Sequence, residues 1–194
     1  MEEMLSRYLL ALDEVNRFVA ISYNSGLGDD FDARLQQITG DILTMLINAY
    51  KQGISDISLM LGYELSVDID LMYRAIYAVI EGKTFEDRIY DHLIAGDLKG
   101  LQSLAESEWH RIYNVAEDDG AEQYVQERDA GVTKTWHTVG DDKVRETHDY
   151  LNGTTIPLEE DFFTFDGDSA PAPGCFRRAQ NNCGCRCWLT YEAS

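Results

Sequence analysis

The side chains best suited to chemistry lie in the last third of this 194-residue chain. Cys175, Cys183, Cys185 and Cys187 are its four cysteines, and no cysteine precedes them. Thiolate sulfur and imidazole nitrogen are the donors that tetrahedral zinc prefers. The four cysteines can supply a full set, and His148 is the histidine best placed to replace one of them. On a strand, positions 183, 185 and 187 turn to one face, although Gly184 weakens a strand at its start. C-x-C is a less specific spacing than C-x-x-C. Besides one structural zinc, the cysteines therefore also fit a role as reduced core thiols.

Catalytic uses of the same residues find less support. Cys185 with His148 has the outline of a nucleophile and base, but no catalytic signature surrounds either residue. Glu159, Glu160 and Asp161 suggest carboxylate work or ADP-ribosyl transfer. No Ser-Thr-Ser strand or nucleotide-binding loop accompanies them, and consecutive acids on a turn are usually just solvated. No G-x-x-x-x-G-K-S/T occurs, which removes that route to ATP hydrolysis. The expectation is a non-enzyme. Arg145 sits among Asp141, Asp142 and Asp149. It either fixes a helix over 142–151 against the cysteine loop or makes a surface ion pair worth about 0–1 kcal/mol. His92 and His110 fall on helices near acidic residues and read as satisfied surface or core histidines.

The elements that must position these residues divide the chain in two. Residues 1–130 read as an acidic, mainly helical region. Leu5, Leu9, Leu12, Val15, Phe18 and Val19 have helical spacing, and Gly26 and Gly28 break it. Asp29 or Asp30 can cap a second helix bearing Phe31, Leu35, Ile38, Ile42, Met45 and Ala49. Gly53 is expected to end it, and a short helix from Ile54 to Leu61 stops at Gly62. Ser66 or Asp68 can cap the next helix, whose stripe runs Ile69, Met72, Ile76, Val79, Ile80. Thr84 and Asp87 form a capping box for a helix with Ile89 and Leu93. After Gly96-Asp97 a long helical segment runs to about Tyr113, with a weak break at 117–120.

Residues 131–194 read as a small mixed α/β module, so the fold class is α+β. The Thr-Val-Trp alternation around Trp136 predicts a strand. Asp141 or Asp142 can cap the short helix through Val144, His148 and Leu151, and Asn152-Gly153 closes it. Thr154–Ile156, 162–165 and 186–191 are expected to be extended, with a loop over 166–174.

Charge limits the partners. The net charge is −19. Residues 131–194 carry 6 basic and 10 acidic side chains, so residues 1–130 hold −15 of the total. Such a chain repels a phosphate backbone, so no direct duplex DNA binding is expected. The plain reading of the charge is solubility, and the sharper one is a complementary basic protein surface. No apolar run approaches 18 residues, so no membrane association is expected. The acidic N-terminus is unlike a secretory signal, which points to synthesis in a cytosol. At 44% hydrophobic residues the chain has ordinary globular composition.

The order of residues in the C-terminal third resembles the phage Mu F-like minor head proteins, the phage head morphogenesis family. The resemblance rests on Trp136, the acidic Asp141-Asp142, Val144-Arg145, His148, Leu151, Gly153, Phe162, Pro173-Gly174 and the closing Cys185-Arg186-Cys187. Upstream, Glu108, Arg111 and Asn114 look like the family's T-E-x-x-R-x-x-N segment, with Ser107 in place of threonine. The resemblance covers about 84 to 191. One departure is that Gly184 stands before C-R-C, where the family has asparagine. Cys183-Gly184 looks like a two-residue insertion, so the family ligand falls on Cys183 or Cys185. The resemblance implies a minor head component of a tailed phage, acting in head morphogenesis or DNA delivery. Its partners would be the portal and the capsid or scaffold proteins, and its location the virion, after the host cytoplasm during assembly. A late disulfide among the cysteines also fits, because a mature particle meets oxidising surroundings. The rival readings are a small effector or toxin enzyme and a zinc-stabilised protein-interaction module.

Overall fold

Two 31-residue helices form the axis of the molecule, α2 (Phe31–Leu61) and α5 (Leu98–Arg128). The computed structural model describes residues 2–25 and 30–194, with the side chains of residues 2–9 and 12 outside the description. Leu5, Leu9 and Leu12 as apolar positions, Gly26 and Gly28 as breakers, and Asp29 as a cap therefore lie outside the described residues.

Helix α1 (Glu2–Asn24) packs against both long helices through Val15 and Val19. Asp30 caps α2 by accepting from the Ala33 N–H, and Gly62 ends it at φ +61°. The expected stop at Gly53 is overturned, and α2 runs straight through it. Gly53 instead lets α5 approach, because a Cβ there would lie 2.6 Å from the Tyr113 carbonyl oxygen and 2.7 Å from Ala116 Cβ. The expected break at 117–120 is also absent. Gly120 stays helical, and a Cβ on it would meet Ile57 Cγ2 at 2.6 Å. Both glycines are contact points between helices, where the missing side chain outweighs the roughly 1 kcal/mol helix penalty.

Asp68 caps α3 (Ile69–Ile76), which buries Met72 and Ile76. The stripe stops there, because Val79 is exposed and Ile80 bridges Lys83 in a turn. Thr84 and Asp87 make the expected capping box at the start of α4 (Phe85–Ile94), and Asp97 caps α5.

The sheet follows. β1 (Val132–His137) lies between β2 (Thr155–Pro157) and β5 (Trp188–Ala193), antiparallel to both, with Trp136 opposite Leu189. Alternation turns Val132, Lys134 and Trp136 inward. Phe162 and Phe163 (β3) pair with Ser169 and Ala170 (β4), so the expected loop holds a strand. The expected helix over 142–151 shrinks to α6 (Glu146–Asp149) between turns, and a second short helix, α7, covers Ala179–Asn182. The buried core runs from Val15 on α1 to Tyr191 on β5. The fold is α+β, with a helical N-terminal part and a sheet-containing, cysteine-rich C-terminal end.

Candidate functional site

β1 and β5 bring Trp136 beside the end of the cysteine segment, and α6 lays His148 over both. Trp136 is fully buried. Its ring meets His148 edge-on at 5.6 Å, Phe162 at 5.0 Å and Phe176 at 5.8 Å. Phe176 stacks on His148 at 5.3 Å. Gly153 makes this packing possible: at φ +79° it turns the chain so that its N–H donates to the Trp136 carbonyl.

Held this way, His148 Nδ1 lies 3.4 Å from Cys185 Sγ and 3.5 Å from Cys187 Sγ. The three donor atoms fall within 4.8 Å of one another, and each residue is at most 5% exposed. Burial opposes ionisation of Cys185, but hydrogen bonds from Cys187 and His148 hold its thiol well below the ordinary range. The same contact with Cys185, together with burial, pushes Cys187 up. Cys185 is therefore the first of the pair to ionise.

The expected four-cysteine set does not assemble. Cys183 is exposed, and Cys175 is partly buried with its thiol pushed up to about 12 by desolvation. Neither joins the three-residue cluster. The physical reason is Gly184, whose φ of +64° turns the chain so that 183 does not share a strand face with 185 and 187. Every cysteine is a free thiol.

Arg145 does not pair with Asp141, Asp142 or Asp149, as the sequence suggested; it donates to the Cys183 carbonyl oxygen. Asp141 instead takes a two-pronged ion pair from Arg186, at 2.6 and 2.8 Å. Asp142 is exposed. Pro173 and Gly174 are buried, and a Cβ on Gly174 would lie 3.1 Å from Arg111 Cα. The P-G loop thus needs glycine to lie against α5. Glu159 and Glu160 are exposed, as consecutive acids on a turn should be.

Two contributors, Asp168 and Lys134, lacked a signal in the sequence, and His110 proves to be the satisfied core histidine that its helical position suggested. His110 is buried on α5, and its Nε2 lies 3.0 Å from the Cys187 carbonyl oxygen. Burial pushes its imidazole below the ordinary value, so it is neutral. Asp168 is buried and accepts from the Ser169, Arg177 and Arg178 N–H groups and from Asn181 Nδ2. Lys134 is fully buried and pairs with Asp118 at 3.2 Å. On the far side of the P-G loop, Glu108 sits between Arg88 and Arg111. Burial works against its charge, but the two arginines outweigh that and hold its carboxyl below the usual range. These residues border a groove of about 700 Å³.

Residues 70–190 match the family model described as Phage Mu protein F like protein, which covers more than half of the chain. The chain belongs to the phage Mu protein F like family. The match begins ahead of α4 and takes in Trp136, His148 and the C-R-C segment. This chain is 32% identical over 87 residues to Minor head protein GP7 of Bacillus phage SPP1, covering 45% of this chain and 28% of that protein. It is 26% identical over 152 residues to NAD(+)--arginine ADP-ribosyltransferase EFV of Enterococcus faecalis (strain ATCC 700802 / V583), covering 77% of this chain and 31% of that protein. The chain spans under a third of the length of both curated relatives. No solved structure matches it. No helix among the described residues is long and apolar enough to cross a membrane.

Proposed function

We propose that this Mu F-like chain is a structural component of a tailed-phage head, without an enzymatic step of its own. The observation that carries the reading is how the motif residues are used. Trp136, His148, Cys185 and Cys187 are at most 5% exposed and pack against one another. Nucleophiles and bases must reach a substrate, whereas these side chains knit α6, β1 and β5 into one core. The family match and the similarity to a minor head protein support the same role. The chain acts in head morphogenesis or DNA delivery through the portal, capsid or scaffold proteins. It does so in the virion, after assembly in the host cytoplasm. The acidic helical part is the docking element and meets a basic face of its partner.

Co-expression with the portal and capsid proteins of the same phage tests this. The chain is expected to co-purify with the portal ring or the procapsid, in a salt-sensitive manner. Failure to bind either would overturn the head role. The similarity to an arginine ADP-ribosyltransferase sets the second arm of the experiment. Incubation with labelled NAD and host lysate is expected to leave protein unlabelled, and labelling that requires this chain would establish the enzyme reading instead.

A further inference from the structure

We propose that this chain binds one zinc ion through His148 Nδ1, Cys185 Sγ and Cys187 Sγ, and that Cys175 and Cys183 take no part. The geometry is that of a site shaped before the ion arrives. Zinc–sulfur bonds of about 2.3 Å and zinc–nitrogen bonds of about 2.0–2.1 Å, set at a tetrahedral angle, separate nitrogen from sulfur by about 3.5 Å. The two nitrogen–sulfur distances are 3.4 and 3.5 Å. Loose packing of a histidine near two thiols does not require both edges to match at once.

Charge favours the same reading. Binding expels the two thiol protons to solvent, and two thiolates neutralise the divalent ion. The buried centre is then uncharged and avoids the cost of an isolated buried ion. The surroundings hold the donors in place. The His148 ring is clamped between Trp136 and Phe176, and His110 fixes the Cys187 carbonyl from α5. Three protein donors leave one tetrahedral position for a water. The ion would tie α6 to the start of β5, across the short loops that otherwise hold this end of the sheet.

The test uses the full chain, purified under reducing conditions without chelator. Elemental analysis is expected to give one zinc per chain. Cobalt(II) in its place is expected to show thiolate-to-cobalt charge transfer and the intense visible bands of a tetrahedral centre. The double variant Cys175→Ser/Cys183→Ser keeps both signals, while His148→Ala, Cys185→Ser and Cys187→Ser lose them. Absence of zinc and of the cobalt bands in the wild type would overturn the site. Loss of either signal in the Cys175→Ser/Cys183→Ser variant would overturn the ligand set. These two measurements decide the matter even if the ligand variants fail to fold. The result is independent of whether the chain binds a portal.

Discussion

His110 on α5 donates from Nε2 to the backbone carbonyl of Cys187, 77 residues further along the chain, at 3.0 Å. Asn114 completes the arrangement by donating to the His110 carbonyl at 2.7 Å and lying 3.4 Å from its Nδ1. The long helix is thereby joined to the cysteine segment by a neutral, buried imidazole. His110→Ala leaves the Cys187 carbonyl buried with its partner removed, a loss of about 1–3 kcal/mol. Chemical denaturation checks this, and an unchanged midpoint would show that the contact contributes nothing.

Gly53 and Gly40, both on α2, should respond in opposite directions. Gly53→Ala places a methyl 2.6 Å from the Tyr113 carbonyl, which is backbone and cannot swing away. The helices must separate, at a cost of about 1–3 kcal/mol. Gly40 has nothing within 4 Å, so Gly40→Ala is expected to stabilise the helix by about 0.5–1 kcal/mol. Thermal melts of the two variants provide the comparison.

Asp168 satisfies three backbone N–H groups and Asn181 from a buried position. Burial works against its charge, but those hydrogen bonds keep its carboxyl below the usual range. Asp168→Ala strands several donors at once and should cost about 2–4 kcal/mol, whereas Asp168→Asn keeps part of the set and should cost less. Equal losses in the two variants would mean that the carboxylate is not what organises this loop.

Glu117 gives a pH signature. Burial pushes its carboxyl well above the ordinary value. Its neighbour Asp118 is raised to about 6, because burial outweighs the attraction of Lys134. A carboxyl raised in the folded state holds a proton that the unfolded chain has already released. Its contribution to stability is therefore present below the unfolded value and is lost as pH rises through the folded one. His110 and His137, whose imidazoles burial pushes down, act with the opposite sign below about pH 6.5. The useful quantity is thus the difference between wild type and Glu117→Gln. The variant is expected to gain on wild type as pH rises above the ordinary carboxyl value, because the unfolded wild type has then released the Glu117 proton while the folded chain still holds it. A constant difference above that value would show that folding does not raise the Glu117 carboxyl.

Much of the fold was legible because its signals are local. A capping box acts within one helical turn, so Thr84 and Asp87 announced α4 without knowledge of the rest. Alternation around Trp136 marked β1, and Gly62 marked the end of α2 through its left-handed backbone. The ordered residues from Trp136 to Cys187 were enough to point to the Mu F-like family, which the match over 70–190 bears out.

The sequence by itself therefore determined the α+β class, the capping box at Thr84, the central strand and the family, whereas α6 starts at Arg145 without the side-chain cap expected from Asp141 or Asp142. Only the tertiary structure decided what the glycines do and which cysteines meet His148. Gly53 and Gly120 look like breakers in sequence, because a glycine's local preference is against helix; their use depends on a partner helix that lies far away along the chain. The four cysteines look equivalent, yet Cys185 and Cys187 meet His148 while Cys175 and Cys183 do not. That choice rests on the turn at Gly184, the aromatic clamp on His148 and the contact from His110, all set by packing between distant segments. Spacing in sequence names the available donors, and three-dimensional packing selects which of them share a site.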